Sequence, residues 1–208
     1  VTDVDWRPRI YLSETEKRVA ESQWDGTTAK RILVNISAGR PMRRWPDENF
    51  VALLRHLDKT APDANVLVIS APDDRERASQ IAKSGNATYA PTKALRDALA
   101  LVATTDILVT PDTSLVHSAS AFETPAVILF EKGKEMLWSG YKIPGRNVVN
   151  DDTTLATLPI EPVLAALDEV LQNTSSQLQR GSYENSDLSS RSHSHDTAAG
   201  AAGRNSPS

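Results

Sequence analysis

Cysteine is absent from the 208 residues of this chain, which excludes disulfides and thiolate metal sites and agrees with a reducing compartment. No apolar run reaches the ~20 residues that a helical bilayer span needs, and no leader-like segment stands at Val1. A basic surplus is missing too. The net formal charge is -4 and the pI is near 5.6, a poor match to general nucleic-acid binding, which needs a broad basic face. No G-x-G-x-x-G follows the first apolar strand, which weakens a dinucleotide oxidoreductase reading. An initiating methionine is lacking as well. The chain opens on Val1 and runs straight into Asp5-Trp6-Arg7-Pro8-Arg9, so the expectation is the middle of a larger protein.

What is there is an alternating rhythm. A capping-box spacing at Ser13 and Glu16 predicts a short helix to Trp24, followed by a linker at Thr27–Lys30. Apolar runs at Ile32–Ile36, Val66–Ile69, Ala87–Tyr89, Ile107–Val109 and Ala126–Phe130 predict five strands, with Ala87–Tyr89 the weakest. Between them lie helical segments. Pro46-Asp47-Glu48 opens one whose apolar face is Phe50, Leu53, Leu54 and Leu57. Arg75–Lys83 is stopped by Gly85, and Leu95–Thr104 and Ser114–Phe122 follow. The clearest helix is Pro159–Gln172, with a stripe of Ile160, Val163, Leu164, Leu167, Val170 and Leu171. Strands alternating with helices predict an α/β fold, a doubly wound parallel sheet covered on both faces. No internal repeat is seen. From Asn173 to Ser208 the chain is polar and small, too poor in apolar side chains to offset its ordering entropy, and is expected to be disordered. His193 and His195 within it read as solvated tail residues rather than metal ligands.

The typical strand order of a doubly wound sheet, 3-2-1-4-5, makes strands 1 and 4 neighbours at a crevice where ligands bind. The two most unusual loops follow those strands. Thr110-Pro111-Asp112-Thr113-Ser114 turns directly into a helix, aiming free backbone N–H groups and a positive dipole end at the crevice. A simple helix cap by Asp112 or Thr113 is an equally good reading of that turn alone. A carboxylate repels phosphate, so Asp112 suits a cap or sugar hydroxyls instead. His117, one turn in, is either a core histidine or a phosphate donor. Opposite, three arginines, Arg40, Arg43 and Arg44, fall within five positions; guanidinium forks match phosphate oxygens, although exposed basic loops are common. Trp45 reads as packing. After strand 2, Asp73 and Asp74 read as helix-start acids or as ribose contacts, the former slightly favoured.

These pieces together resemble the C-terminal half of glycosyltransferase family 9, which includes the ADP-heptose:lipopolysaccharide heptosyltransferases. The resemblance runs from about Ile32 to Val149, more loosely to Gln172. It is carried by Arg43-Arg44-Trp45-Pro46, by Asp112 to His117 as Asp-Thr-Gly/Ser-x-x-His, and by Pro125 to Phe130, in that order. The resemblance implies one Rossmann-like half of a two-domain GT-B architecture, inverting and metal-independent, with no cofactor and an ADP-sugar favoured as donor. It implies that Thr113, Ser114 and Leu115 meet the pyrophosphate. Asp112 faces the donor sugar, Asp74 meets the ribose, and Thr92 and Lys93 lie by the base. Arg43 stands where the family usually has a phosphate-binding lysine, Ser114 replaces the commoner glycine, and Glu131 stands where a glycine usually follows the Leu-Phe strand, narrowing the loop by the sugar.

The expected organisation is a linker with a short helix over 1–30, a nucleotide-sugar-binding domain over 31–172 and a polar tail over 173–208. The catalytic base is expected in an N-terminal acceptor domain that also meets the glycan or lipid-linked acceptor, so no catalytic residue is assigned to this chain. A cytoplasmic protein, peripheral to the inner membrane, fits the resemblance. The alternative is a free-standing, non-catalytic nucleotide-binding module.

Overall fold

A computed structural model describes residues 7–26, 29–134 and 141–174. The chain divides into two units, Val1–Leu171 and Gln172–Ser208. The second is described only at 172–174, so the tail expected over 173–208, with His193 and His195, lies almost wholly outside the described residues.

Six strands form one parallel sheet: β1 (Arg31–Asn35), β2 (Asn65–Ile69), β3 (Thr88–Tyr89), β4 (Ile107–Pro111), β5 (Ala126–Phe130) and β6 (Gly145–Val149). Their order is β3-β2-β1-β4-β5-β6. The helices are α1 (Glu14–Glu21), α2 (Asp47–Thr60), α3 (Arg75–Ser84), α4 (Leu95–Ala103), α5 (Ser114–Phe122) and α6, from residue 161 to 174. The expected switch point between β1 and β4 is present, with Ile32, Leu33 and Val34 in register with Ile107, Leu108 and Val109.

The sheet is buried on both faces because side chains alternate along each strand. Ile32, Val34 and Ile36 join α2, α3 and α6 in one core, whereas Leu33 points into a second core with α1, α4 and α5. That double burial is why the central strands read as unbroken apolar runs. The helices following β1 and β2 cover the first face, and those following β3 and β4 cover the second. The change of face falls between β1 and β4 and opens the crevice there.

Helix boundaries follow local chemistry. Ser13 and Glu16 close the capping box that starts α1, with Ser13 N donating to Glu16 Oε2 at 2.7 Å and Glu16 N donating to Ser13 Oγ at 3.2 Å. The helix ends at Glu21 rather than Trp24. Trp24 instead packs in the second core, and its indole N–H donates to Thr104 Oγ1 at 3.0 Å. The stripe expected on the last helix packs on the first core, with Val163, Leu167 and Val170 buried.

One strand was not expected. In β6 only Val148 is buried, so Gly145-Arg146-Asn147-Val148-Val149 carries no apolar run. It is an edge strand, and pairing with β5 rather than burial forms it. Gly145 permits the approach: a Cβ there would stand 1.9 Å from Ala126 O. Gly145→Ala should therefore separate β6 from β5 and lower stability by about 2 kcal/mol, the usual scale of a forced overlap, as read by urea denaturation.

Candidate functional site

The site begins with two polar residues inside otherwise apolar strands. Asn35, buried at the end of β1, donates from Nδ2 to Thr110 Oγ1 at 3.0 Å and to Ser37 O at 3.2 Å. It thus ties the carboxyl ends of β1 and β4 together across the switch point. Thr110 Oγ1 lies 3.3 Å from Thr113 Oγ1. Thr113 in turn caps α5 by accepting from Leu115 N at 3.3 Å. The cap is Thr113, not Asp112. Ser114 is exposed at the first helical position, so the N-terminal turn of α5 presents its N–H groups to the crevice.

The loop after β1 reaches both sides of this turn. Arg43 crosses to α5 and β5. Its Nη1 sits 3.0 Å from Asp112 Oδ2 and donates to Asp112 O at 3.3 Å, while Nε donates to Glu131 Oε1 at 3.0 Å. Arg44 goes the other way, with Nη2 3.1 Å from Asp74 Oδ1. Ser37 Oγ donates to the second oxygen of Asp74 at 2.7 Å and accepts from Ala71 N at 2.8 Å. Asp74 is thereby fixed and 7% exposed, unlike its exposed neighbour Asp73. Arg40 is exposed at the start of the loop.

Two residues hold the loop's exit. Trp45 is fully buried, stands edge-on to Phe50 at 5.0 Å and donates from Nε1 to Leu158 O at 2.9 Å. Arg77 of α3 donates to Ile36 O at 3.1 Å and Trp45 O at 3.2 Å. Nothing in the sequence marked Arg77. Asn35 read as part of the first apolar run and Thr110 as the start of the loop after Val109, so neither stood out.

Between these loops lies a cavity of about 270 Å³, lined by Ser37 and Gly39, by Ile69–Pro72, Thr92, Leu95 and Ala98, and by Thr113, Ser114 and Leu115. Its walls are largely apolar. Ser70 Oγ is a buried exception without a hydrogen-bond partner among the described residues. Of the residues singled out from sequence, Thr113, Ser114, Leu115 and Thr92 line the cavity; Arg43, Asp74, Lys93, Asp112 and His117 do not. Thr92 Oγ1 donates to Ser70 O at 2.6 Å, and Lys93 N donates to Asp97 Oδ2 at 2.8 Å; Lys93 is exposed. His117 is exposed, so the core-histidine reading fails: the first turn of α5 turns Leu115 and Val116 inward and His117 to solvent.

The electrostatics are unequal. Two nearly buried carboxylates, Asp112 at 5% exposure and Glu131 at 2%, share the single guanidinium of Arg43. Burial pushes the Asp112 carboxyl above the usual carboxylate range; Arg43 opposes this, Glu131 adds to it, and His117 and Lys134 oppose it more weakly. Glu131 Oε2 is buried and makes no hydrogen bond among the described residues.

An apolar cavity lined in part by a helix N-terminus has the chemistry to take a nucleoside joined to phosphates. Residues 3–161 match the family described as Glycosyltransferase family 9 (heptosyltransferase). The chain belongs to glycosyltransferase family 9. The match begins well upstream of Ile32, where the motif resemblance started. Among curated relatives, lipopolysaccharide heptosyltransferase 2 of Salmonella typhimurium is 26% identical over 133 residues, covering 59% of this chain and 37% of the relative. A family 9 glycosyltransferase of Veillonella parvula superposes with a TM-score of 0.72 at 19% identity, over 83% of this chain and 56% of that one. The E. coli ADP-heptose lipopolysaccharide heptosyltransferase II superposes at 0.64 and 20% identity, over 84% and 56%. These similarities establish the α/β, Rossmann-like fold. The chain spans between 37% and 56% of the length of these relatives. No helix among the described residues of this family 9 chain is long and apolar enough to cross a membrane.

Proposed function

We propose that this chain is the donor-binding half of an inverting, metal-independent glycosyltransferase. It moves a heptose-like sugar from a nucleoside-diphosphate sugar, ADP-linked by preference, to a lipopolysaccharide or other cell-envelope glycan. The observation that carries this reading is the N-terminal turn of α5 lining the apolar cavity, with Arg43 held against Asp112, just before that turn, across the switch point. Support also comes from an E. coli heptosyltransferase solved with ADP, which shares this fold at a TM-score of 0.62 and 18% identity.

In this reading the nucleoside occupies the cavity, with Asp74 near the ribose and Thr92 and Lys93 near the base. The pyrophosphate meets Thr113, Ser114 and Leu115, with His117 as an added donor and Arg43 at its sugar side. Asp112 faces the sugar. As an acceptor hydroxyl attacks the anomeric carbon, negative charge grows on the leaving diphosphate. Fixed N–H groups and a guanidinium stabilise that charge without reorganising. The base that takes the acceptor's proton belongs, in this proposal, to an acceptor domain outside residues 31–172, on the cytoplasmic side of the inner membrane.

Calorimetric titration of the chain with ADP, UDP and GDP tests the reading. ADP should give the strongest binding. No heat with any of the three would remove the donor site. Binding of ADP together with the absence of transfer by the complete protein would favour the other reading, a nucleotide-binding module without catalysis.

A further inference from the structure

Ser37 lies just past β1 on the cavity side of the sheet. Side chains alternate along the chain there, so Leu33 faces the second core, Ile36 faces the first, and Ser37 returns to the second face, where it lines the cavity. Its backbone is clamped by Asn35. Ser37 N donates to Asn35 Oδ1 at 3.2 Å, and Asn35 Nδ2 donates to Ser37 O at 3.2 Å. The same Nδ2 donates to Thr110 Oγ1, which lies 3.3 Å from Thr113 Oγ1. A run of bonded groups thus joins Ser37 to the cap of α5, whose first turn lines the same cavity.

The Ser37 hydroxyl is committed on two sides. Oγ donates to Asp74 Oδ2 at 2.7 Å and accepts from Ala71 N at 2.8 Å. A carboxylate only accepts and a backbone N–H only donates, so the one serine proton is directed to Asp74. A hydroxyl oxygen carries two lone pairs. Ala71 takes one of them, and the other has no partner among the described residues. Asp74 is itself held, with Oδ1 3.1 Å from Arg44 Nη2, and it does not line the cavity. Asp74 therefore fixes the proton of Ser37, and Ser37 is left as a pure acceptor at the cavity wall.

A pure acceptor selects what can sit beside it. Phosphate oxygens also accept, so they gain nothing from Ser37. A ribose hydroxyl donates, and the ribose is the part of a nucleoside diphosphate joined directly to the phosphates. The bonded run from Ser37 to the α5 cap puts Ser37 next to the phosphate turn, where the ribose falls. We propose that Ser37 is a specificity-determining residue for ribonucleotides, its Oγ accepting a hydrogen bond from one ribose hydroxyl. Asp74, held by Arg44, is the positioning residue that orients this acceptor and acts on the ribose through Ser37. This rests on the donor-site reading and deepens it: the ligand class is a nucleoside diphosphate with its ribose hydroxyls intact.

Calorimetric titration of the chain with ADP, 2′-deoxy-ADP and 3′-deoxy-ADP separates the two levels. The wild type should bind ADP about three- to tenfold more tightly than one of the deoxy nucleotides, the range of one hydrogen bond. Ser37→Ala should bring that ratio close to one. A structural lesion would lower ADP and deoxy nucleotide together and leave the ratio unchanged, so the ratio reads the contact itself. Asp74→Asn should reduce the ratio in the wild-type background and leave it unaltered in the Ser37→Ala background, as expected of a residue that acts through Ser37. A ratio that survives Ser37→Ala overturns the role of Ser37; if Asp74→Asn then abolishes it, Asp74 meets the ribose directly. A wild type that binds ADP and both deoxy nucleotides equally overturns the proposal without recourse to any variant, while leaving the donor site standing. Absence of ADP binding to the wild type would instead remove the donor-site reading beneath it.

Discussion

Arg43→Ala is expected to destabilise the fold by about 3 kcal/mol at neutral pH, because removing one partner of a buried ionic cluster leaves the other charges uncompensated. Asp112 and Glu131 would then face each other nearly buried with no cation between them. The loss should depend on pH in a defined direction. Asp112 is already raised by burial, so its ionisation costs stability as pH rises from the ordinary carboxylate range through its folded value. Without Arg43, the main influence opposing that rise, the folded value moves higher still. The deficit relative to wild type should therefore be greatest at neutral and alkaline pH and shrink as pH falls into the ordinary carboxylate range. Urea denaturation at several pH values reads this out. A deficit that grows toward acid would reverse the assignment. The same substitution should weaken ADP binding by about 1.5–3 kcal/mol if Arg43 Nη2 meets phosphate. Unchanged affinity in a folded variant would confine Arg43 to the carboxylate cluster.

Trp45→Ala should cost about 3–5 kcal/mol, the range for removing a large aromatic from a packed core. Trp45 is fully buried, packs edge-on against Phe50 and donates to Leu158 O, tying the β1 loop to the segment before α6. Part of that cost is the hydrogen bond. Trp45→Phe, which keeps an aromatic ring but not the N–H, should lose less, since Asn49 Nδ2 still reaches Leu158 O at 3.3 Å. Trp45 directly follows Arg43 and Arg44, so freeing it should loosen both arginines and weaken nucleotide binding beyond the loss in stability. A cost below about 1 kcal/mol for the alanine variant would mean that the site collapses around the gap and that Trp45 does not anchor the loop.

The sheet was legible because its strands are buried on both faces: Ile32, Leu33 and Val34 are all apolar whichever way they point. β6 was not legible for the opposite reason. With one buried residue, it exists through its pairing with β5 and through the absence of a side chain at Gly145. The strand-to-helix turn was readable from local chemistry, since Thr113 and Ser114 are good helix-start residues directly after an apolar strand. Which residue caps the helix was not readable, because Asp112 and Thr113 are both good caps. The choice is set by where the strand ends: Asp112 N still donates to Leu129 O of β5, which leaves Thr113 directly before the helix. His117 was ambiguous for a similar reason: a short helix rich in small residues gives no clear periodicity to say which side faces in.

The Asp112–His117 turn and the arginine-rich loop opposite it were determined by the sequence alone, through strand order and helix-start chemistry that act over a few residues. Their wiring was decided only by the tertiary structure. Arg43 and Glu131 are separated by 88 positions and Arg43 and Asp112 by 69. Adjacent arginines diverge, Arg43 to the carboxylate pair and Arg44 to Asp74. Charge attracts charge without regard to sequence distance, so which carboxylate each guanidinium meets is set by the packing that brings loops together. The absence of cysteine could exclude thiolate metal sites, but only the folded site shows two buried carboxylates sharing one guanidinium.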